Sequence, residues 1–314
     1  MLSRRDIEKE LGKGINIVPV IRENFKENSI NLTASKNAWT MGNGTVYWYG
    51  GTDVQMKDGP GRKSTKTFSK GNSCVIKGIK GDARNQYIVL LPHTTTLIET
   101  AEVLGVANNI GGALHSKVGL VSKGIGHIGT MLGPGYCGHL LIALHNITDD
   151  AIAIKVGATF VSLAFDYLTT QVVRTSATIS GHLDKFPELG INVDEETRNY
   201  LTADWKSNID DIRERMCESD AFIKYKKHIR ANTWKEVKKY INKRNILAVV
   251  AVAAVIVGIY LYAVHLDRKL DNPIWVDRFW NIGFSGIIGS FVIALWNFIK
   301  DKCAYRLNAA GHKM

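Results

Sequence analysis

The side chains that most often bind metals or form disulfides are widely separated in this sequence. Its four cysteines form no CxxC pair and stand at Cys74, Cys137, Cys217 and Cys303. Neither a zinc knuckle nor a disulfide framework has this spacing, so we expect free thiols in a reducing compartment. His93, His139 and His145 match no HExxH or comparable pattern. We therefore expect neither a metal site nor a cofactor.

The glycine-rich centre of the chain is a second candidate for chemistry. Ten glycines fall between Gly105 and Gly138, but none belongs to a GxxxxGK[ST] motif or to a GxGxxG set between a strand and a helix. The stretch therefore predicts neither a P-loop nor a Rossmann turn. A basic loop from Gly59 to Lys66 is most simply a solvated hairpin tip, with a phosphate contact as the alternative.

Length, composition and charge limit the elements that could position these residues. The chain has 314 residues, 45% hydrophobic and 22% charged, which is typical of a globular protein with one large domain or two ordinary ones. Its net charge of +11 is concentrated between Lys224 and Arg244, where nine basic residues accompany the single acid Glu236. Because this cluster borders an apolar segment, we expect its partner to be anionic lipid headgroups and not nucleic acid.

Two segments, Ile246–Val264 and Phe279–Ile299, contain no charged side chain. At 1.5 Å per residue the first spans about 28 Å, close to the bilayer core of roughly 30 Å. Both outer flanks are basic and the N-terminus has no apolar signal region, so we expect a two-helix hairpin in the bacterial inner membrane with both termini cytoplasmic. Buried core helices are the alternative. Gly283, Gly286 and Gly289 indicate close helix packing, either between chains or within one.

The segment between the front of the chain and this hairpin is rich in charged residues. Leu201, Trp205, Ile209 and Ile212 are spaced four, four and three apart, which predicts one apolar stripe on a helix. Residues 234–241 place apolar and lysine side chains on opposite faces, as in a helix that rests on a membrane surface. We expect this segment to couple the front domain to the bilayer; a passive solvated spacer is the alternative.

The front of the chain, residues 1–165, alternates short apolar runs with turn residues. This pattern predicts a compact antiparallel barrel or sandwich. The runs are Thr45–Tyr49, Ser73–Ile76, Tyr87–Leu91, His139–Leu144 and Phe160–Phe165.

Several motifs in this front region follow one another as they do in one enzyme family. They are Met-Leu-Ser-Arg-Arg-Asp-Ile (1–7), Leu90-x-Pro92 with Leu97, Thr100 and Glu102, and Pro-Gly-Tyr-x-Gly-His-Leu (134–140). Together they resemble the dCTP deaminases of the trimeric dUTPase superfamily, and the resemblance covers about half the chain. It implies a distorted β-barrel or jelly-roll protomer that forms a homotrimer or higher homo-oligomer, with a nucleotide pocket between subunits.

We therefore expect a mainly β fold followed by a helical linker and two transmembrane helices. The expected boundaries are a nucleotide-binding domain at 1–165, the linker with its basic juxtamembrane helix at 166–243, the hairpin at 244–300 and a cytoplasmic tail at 301–314.

The resemblance also implies that the family's chemistry is lost. The register of its catalytic glutamate falls on Ala143, and a methyl group cannot act as a general acid or base. An aspartate that helps to position the catalytic water in the pyrophosphatases corresponds to Gly133. The phosphate-binding Gly-Arg/Lys-Ser-Ser corresponds to Gly-Gly-Ala-Leu at 111–114. We expect no catalytic residue and no enzymatic activity.

The polar groups that remain near these motifs are the candidates for nucleotide binding. Lys117 lies at the register of a second basic residue of the family's segment, and its neighbours could contact a phosphate or a base edge. The candidate set is Gly111, Gly112, His115, Ser116, Lys117, Thr130, Met131 and Tyr136.

A nucleotide fold without its chemistry, joined to membrane helices, favours a sensing function, because differential binding can shift a membrane equilibrium. The leading hypothesis is an effector of a prokaryotic nucleotide-signalling antiviral system, in which a nucleotide or cyclic nucleotide controls disruption of the inner membrane. One alternative is a membrane-tethered dCTP deaminase or dUTP pyrophosphatase that recruits other carboxylates. Another is a trimeric membrane scaffold or channel without ligand. The carboxylates open to the enzymatic alternative are Glu99, Glu102, Asp149 and Asp150.

Overall fold

The computed structural model of the chain describes residues 1–79, 81–127, 129–173, 180–240, 257–269 and 276. The chain divides into two compact units, residues 1–227 and residues 228–314. All the strands formed by the described residues lie in the first unit.

Short strands make up most of the first unit. In chain order they are β1 (Ile15–Val18), β2 (Ile30–Thr40), β3 (Gly44–Gly50), β4 (Asp53–Gln55), β5 (Ser64–Phe68), β6 (Val75–Lys77), β7 (Gln86–Leu90), β8 (Thr94–Val106), β9 (Ile110–Ser116), β10 (Ile125–Gly126), β11 (Met131–Leu132), β12 (Cys137–Asn146), β13 (Ile152–Lys155) and β14 (Thr159–Tyr167).

Helices lie at the start of the chain, in one central turn and after residue 180. They are α1 (Arg4–Glu10), α2 (Val118–Val121), α3 (Phe186–Leu189), α4 (Glu195–Leu201), α5 (Ile209–Glu218) and α6 (Asp220–Tyr240). Three 3-10 segments accompany them at Arg22–Asn24, Ser180–Lys185 and Asp204–Lys206.

The strands form one large sheet and two small ones. The large sheet has the order β10-β12-β8-β2-β14-β9-β11, and β1 pairs with β8 as its eighth strand. The small sheets are β13-β7-β6 and β4-β3-β5, and the strand pairs are antiparallel. This confirms the prediction of a mainly β front domain, and each of the five predicted apolar runs overlaps a strand.

The basic loop between β4 and β5 differs from its prediction. A hairpin tip would join two paired strands, but β4 and β5 lie on opposite edges of β3 and each pairs with it. The loop therefore crosses from one edge of this small sheet to the other. Lys66, at the end of the predicted loop, is already paired in β5 with Val46.

Residues 180–218, which we call the helical cover, pack on one face of β8 and β12. Phe186 of α3 is 2% exposed, and its ring meets that of Trp39 edge-on with the centroids 4.8 Å apart. Leu97 belongs to the same apolar cluster, against which Ala143 also packs. Each large side chain buried in this way contributes about 1.5–3 kcal/mol to stability. The cover is therefore held to the sheet mainly by apolar contact.

The predicted single apolar stripe on one helix is wrong. Leu201 ends α4, Trp205 lies in a 3-10 segment, and Ile209 and Ile212 belong to α5. Asn208 starts a new helix, because its side chain accepts a hydrogen bond from the main-chain N–H of Asp210 at 2.9 Å. The same apolar residues still face the sheet, but three short elements bring them there. Leu201 joins the Trp39 cluster, and the other three pack beside Val103.

The described part of the second unit is helical and bears on the membrane prediction only in part. Residues 257–269 form a helix, whereas 246–256 and the whole of Phe279–Ile299 lie outside the described residues. Among the described helices, none is long and apolar enough to cross a membrane. Large apolar side chains of the described turns are nevertheless exposed: Val257, Ile259, Leu261 and Tyr262.

The cysteines of the described chain form no disulfide with one another and lie in two environments. Cys74 and Cys137 are buried, and Cys217 is exposed at the end of α5. Burial raises the pKa of the Cys74 thiol to about 12. Cys303 lies outside the described residues.

His139 of β12 is fully buried beneath the cover. Its Nδ1–H donates to the main-chain oxygen of Thr100 at 2.8 Å, and its ring lies 5.4 Å from that of Tyr200. Burial, and then the positive charge of Lys206, lowers the pKa of His139 from 6.5 to about 4. The fold therefore favours the neutral imidazole.

Protonation of His139 should destabilise the fold in mild acid. Because its folded pKa is depressed, the stabilisation is present above pH 6.5 and is lost as the pH falls towards 4. The loss is on the order of 3 kcal/mol, and His139→Gln should flatten the dependence of unfolding free energy on pH in this window. Urea unfolding at several pH values measures this dependence of the free energy of unfolding on pH. His93→Gln, which replaces an exposed imidazole, is the control; an equal flattening in that variant would exclude His139 as the cause.

Candidate functional site

A small cavity lies where β9, β11 and β12 approach the Ser180–Lys185 turn of the helical cover. Its volume is about 190 Å³. The residues that matter for its chemistry are Leu114, Thr130, Met131, Gly133, Tyr136 and His182. Apart from His182, none of the described lining residues carries an ionisable group other than a phenol, so the cavity is nearly uncharged.

The turn between β11 and β12 shapes this cavity. Gly135 adopts a φ of 69°, which glycine reaches without steric cost. Its N–H donates to the oxygen of Ala107 at 3.2 Å, and the N–H of Tyr136 donates to that of Gly133 at 3.3 Å. The Tyr136 hydroxyl in turn donates to the main-chain oxygen of His139. The tyrosine ring is thus fixed at both ends and forms a rigid wall.

Three predicted nucleotide-binding residues, Thr130, Met131 and Tyr136, line the cavity together. Met131 pairs with Ala113 of β9 and is 77% exposed, so its side chain stands at the rim. The main-chain oxygen of Thr130 accepts from Leu114 N–H at 2.9 Å, which fixes the rim to β9. These three side chains are the part of the predicted set that the fold brings to one place.

Three other predicted residues lie at the far end of β9. His115 is exposed opposite Ser162 of β14. The Ser116 hydroxyl accepts from the N–H of His127 at 3.0 Å. Lys117 is half-buried and its ammonium donates to the Thr159 hydroxyl.

Lys117 lies in an electropositive environment. Burial lowers its pKa, and the positive charge of Lys26 lowers it further. An anion placed beside Lys117 would offset both effects, because it favours the charged ammonium. This end of β9 is therefore suited to a phosphate.

The last two predicted residues, Gly111 and Gly112, are buried inside the large sheet. They pair with Asp166 and Phe165 of β14, and Gly112 also pairs with Leu132 of β11. A methyl group on Gly112 would come within 2.5 Å of the main-chain oxygen of Ala164. Close strand packing is thus a sufficient reason for glycine at 112.

The two positions that the resemblance predicts to replace the family's catalytic carboxylates have different surroundings. Gly133 lines the cavity, and a methyl group there would meet no described atom within 4 Å. Ala143 pairs with Leu97 and packs against the apolar cluster beneath the cover. A side chain at 143 therefore faces apolar groups of the same chain.

His182 is a cavity residue that the sequence reasoning missed. It has a φ of 53°, which is uncommon outside glycine, and it follows Gly181, with a φ of 67°. Its ring lies 6.3 Å from that of Tyr136. The predicted nucleotide-binding domain ended at residue 165, and no motif surrounds His182 that could have identified it.

The described lining of the cavity includes none of the carboxylates open to an enzymatic alternative. Glu102 accepts from the N–H of Thr33 at 2.9 Å and from its hydroxyl at 2.8 Å. Asp149 lies 2.8 Å from the ring of His93 on the surface. Glu99 is buried under the cover. Within the described chain, no three His, Cys, Asp or Glu side chains are grouped to bind a metal.

Alanine substitutions at Gly112 and Gly133 test whether close packing requires glycine at position 112. Gly112→Ala should lower the free energy of unfolding by about 1–3 kcal/mol, because the methyl overlaps the Ala164 carbonyl. Gly133→Ala should change it by no more than about 0.5 kcal/mol, since the position is open. Thermal or urea unfolding measures both. Equal stability of the two variants would contradict the packing explanation for Gly112.

Comparisons with known proteins place the front of the chain in one family. The dCTP deaminase-like family model matches residues 1–168. Among solved structures, 2'-deoxycytidine 5'-triphosphate deaminase from Agrobacterium tumefaciens is 14% identical with a TM-score of 0.35, and the match covers 53% of this chain and 47% of that one. The chain thus spans about half the length of that deaminase.

Two dUTPases give shorter matches. EIAV dUTPase is 18% identical with a TM-score of 0.25, over 33% of this chain and 91% of that one. Staphylococcus bacteriophage 80alpha dUTPase is 19% identical with a TM-score of 0.25, over 34% of this chain and 83% of that one. No curated protein matches. The match of the family model confirms the resemblance carried by the opening and Pro-Gly-Tyr motifs. Because this model covers more than half of the 314 residues, the chain belongs to the dCTP deaminase-like family.

Proposed function

We propose that the front domain binds a nucleotide without transforming it and passes the binding signal to a membrane. The observation that carries this proposal is the position of Ala143, which packs against apolar side chains of the cover in the same chain. At the register that the resemblance gives to the family's catalytic glutamate there is thus a partly buried methyl group and no acid. General acid–base chemistry needs both a titratable group and contact with the reacting atoms.

The proposed nucleotide is divided between the cavity and the basic end of β9. Ligand pockets for whole small molecules have volumes of roughly 300–1,000 Å³, and the cavity has about 190 Å³. It therefore suits one part of a nucleotide, and its nearly uncharged lining favours the base over the phosphates. Lys117 follows Leu114 by three residues, a distance of about 10 Å along an extended chain, which suits the phosphates.

Assembly of the chain into a homotrimer or higher homo-oligomer is part of the proposal. The family resemblance implies it, together with a nucleotide pocket between subunits, and Met131, which is 77% exposed, leaves the rim of the cavity open to a second copy. A partner surface could enclose the part of the ligand that the small cavity leaves uncovered.

The proposed output is the bacterial inner membrane, with both termini in the cytoplasm. Support comes from the two uncharged segments Ile246–Val264 and Phe279–Ile299 and from the basic cluster that precedes them. In the described turns of the first segment, the side chains of Val257, Ile259 and Leu261 are 55%, 53% and 59% exposed. Exposed apolar surface of this kind suits contact with lipid. We propose that the chain is a membrane effector of a prokaryotic nucleotide-signalling antiviral defence system.

Nucleotide binding should depend on Lys117. Calorimetry with dCTP, dUTP, cyclic AMP and cyclic GMP should find at least one ligand. Lys117→Ala should lower the affinity for that ligand by about 10- to 100-fold, because it removes one charged hydrogen bond. Lys123→Ala removes an exposed lysine nearby and should leave the affinity unchanged. Conversion of dCTP or dUTP would instead favour the enzymatic alternative. Binding of none of the four would favour the scaffold.

Membrane permeability should depend on Gly286. Gly286→Leu widens the closest approach of helix backbones in lipid, so it should change dye leakage from vesicles without changing nucleotide affinity. Gly258→Leu is the matched control in the first segment, where a methyl group meets no described atom within 4 Å. Unchanged leakage in the Gly286 variant would count against the helices as the output.

A further inference from the structure

Glu99 is a buried carboxyl group that the proposed function leaves unused. It lies in β8 opposite Leu141 of β12 and is 0% exposed. Among the described residues, neither of its carboxyl oxygens has a hydrogen-bond partner. Burial raises the pKa of Glu99 well above its usual value, so the uncharged acid is favoured. A group that costs this much to bury needs an explanation.

The main chain of the helical cover rests directly on this carboxyl group. A methyl group on Gly181 would overlap Oε1 of Glu99 and would lie 3.0 Å from its Cδ. Gly181 also has a φ of 67°, which disfavours any other residue. Position 181 is therefore restricted twice, once by its own backbone and once by Glu99.

The residue after Gly181 lines the cavity. His182 has a φ of 53°, and a non-glycine residue held in this region stores strain that the surrounding structure must oppose. Its ring lies 6.3 Å from the ring of Tyr136, and both residues line the cavity. One two-residue turn thus contacts the buried carboxyl group on one side and the cavity on the other.

A second part of the cover interacts electrostatically with Glu99. Lys206 is 2% exposed, and its ammonium donates to the main-chain oxygen of Tyr200. The ammonium nitrogen lies 3.4 Å from the centre of the Tyr200 ring. Glu99 and Lys206 interact electrostatically, and each favours the charged form of the other. Glu99 is thus coupled to the cover through both Gly181 and Lys206.

We propose that the contact between Glu99 and Gly181 places His182 in the cavity and thereby links occupancy of the cavity to closure of the helical cover. Glu99 is a positioning residue in this arrangement, because it acts on the ligand through the turn. A ligand that touches His182 in the closed arrangement stabilises that arrangement relative to an open one. The link rests on the proposed function for the identity of its ligand, but the contact itself does not.

The contact is tested without ligand by two glycine variants of the full chain. Gly181→Ala and Gly190→Ala impose similar backbone strain, since their φ values are 67° and 68°, but a methyl group at 190 meets no described atom within 4 Å. Gly181→Ala should speed amide hydrogen exchange in residues 183–218 by about tenfold or more, and Gly190→Ala by no more than about threefold. Equal effects would overturn the proposal.

Removal of Glu99 should reverse the first effect. In the double variant Glu99→Ala with Gly181→Ala the overlap is gone, so exchange in the cover should return to within about threefold of the wild-type rate. If Gly181→Ala does not fold, the double variant still decides the matter, because it should fold. A double variant as impaired as the single one would show that Glu99 is not the obstacle.

The link to the cavity is tested with whichever of dCTP, dUTP, cyclic AMP and cyclic GMP binds most tightly. Glu99→Ala should lower the affinity for that nucleotide by about fivefold or more. Glu99→Gln keeps the shape of the side chain, so its affinity should stay within about twofold of the wild-type value. The nucleotide should also slow exchange in the cover of the wild type but not of His182→Ala.

The outcomes separate the two proposals. Binding without slower exchange in the wild-type cover would overturn the link and leave the proposed function intact. Binding of none of the four nucleotides would overturn the proposed function and, with it, the link. A merely structural role for Glu99 would change stability in both Glu99 variants without the difference in affinity between alanine and glutamine.

Discussion

The layer of buried apolar side chains between the helical cover and the β8–β12 face constrains the rest of the first unit. Trp39 and Leu97 of the sheet meet Leu183 and Phe186 of the cover there, and all four side chains are buried. A polar group in such a layer must be paired or uncharged. Lys206 meets this condition through the carbonyl of Tyr200, and His139 meets it as a neutral ring. A polar ligand can therefore bind only at the margin of this layer, where the cavity lies.

Much of the fold could be predicted because it depends on local pattern. Alternating apolar residues in 45–49 and 139–144 predict strands, since side chains on a strand point to opposite faces in turn. The cover could not be predicted in the same way. The spacing of Leu201, Trp205 and Ile209 fits a continuous helix, but the helix ends at Leu201 and a new one starts after Asn208. The asparagine before Ile209 was the available signal for this break.

The sequence predicted the members of the candidate site only where their role depends on the type of side chain and not on the backbone conformation. Thr130, Met131 and Tyr136 belong to the predicted set and share the cavity. A glycine kept for close strand packing and one kept for phosphate contact look the same in a sequence, so the role of Gly112 needed the distance to Ala164. His182 was out of reach, because it lies beyond the predicted domain and shares the cavity with residues distant in the chain, such as Tyr136.

The distribution of thiols gives the molecule a natural attachment point for a spectroscopic label. Cys74 and Cys137 are enclosed, and the high pKa of Cys74 keeps it protonated and unreactive at neutral pH. Cys217 is exposed at the last turn of α5. With Cys303 replaced, a maleimide dye would attach selectively at 217, so its fluorescence would follow the end of α5 in real time, with no cysteine introduced.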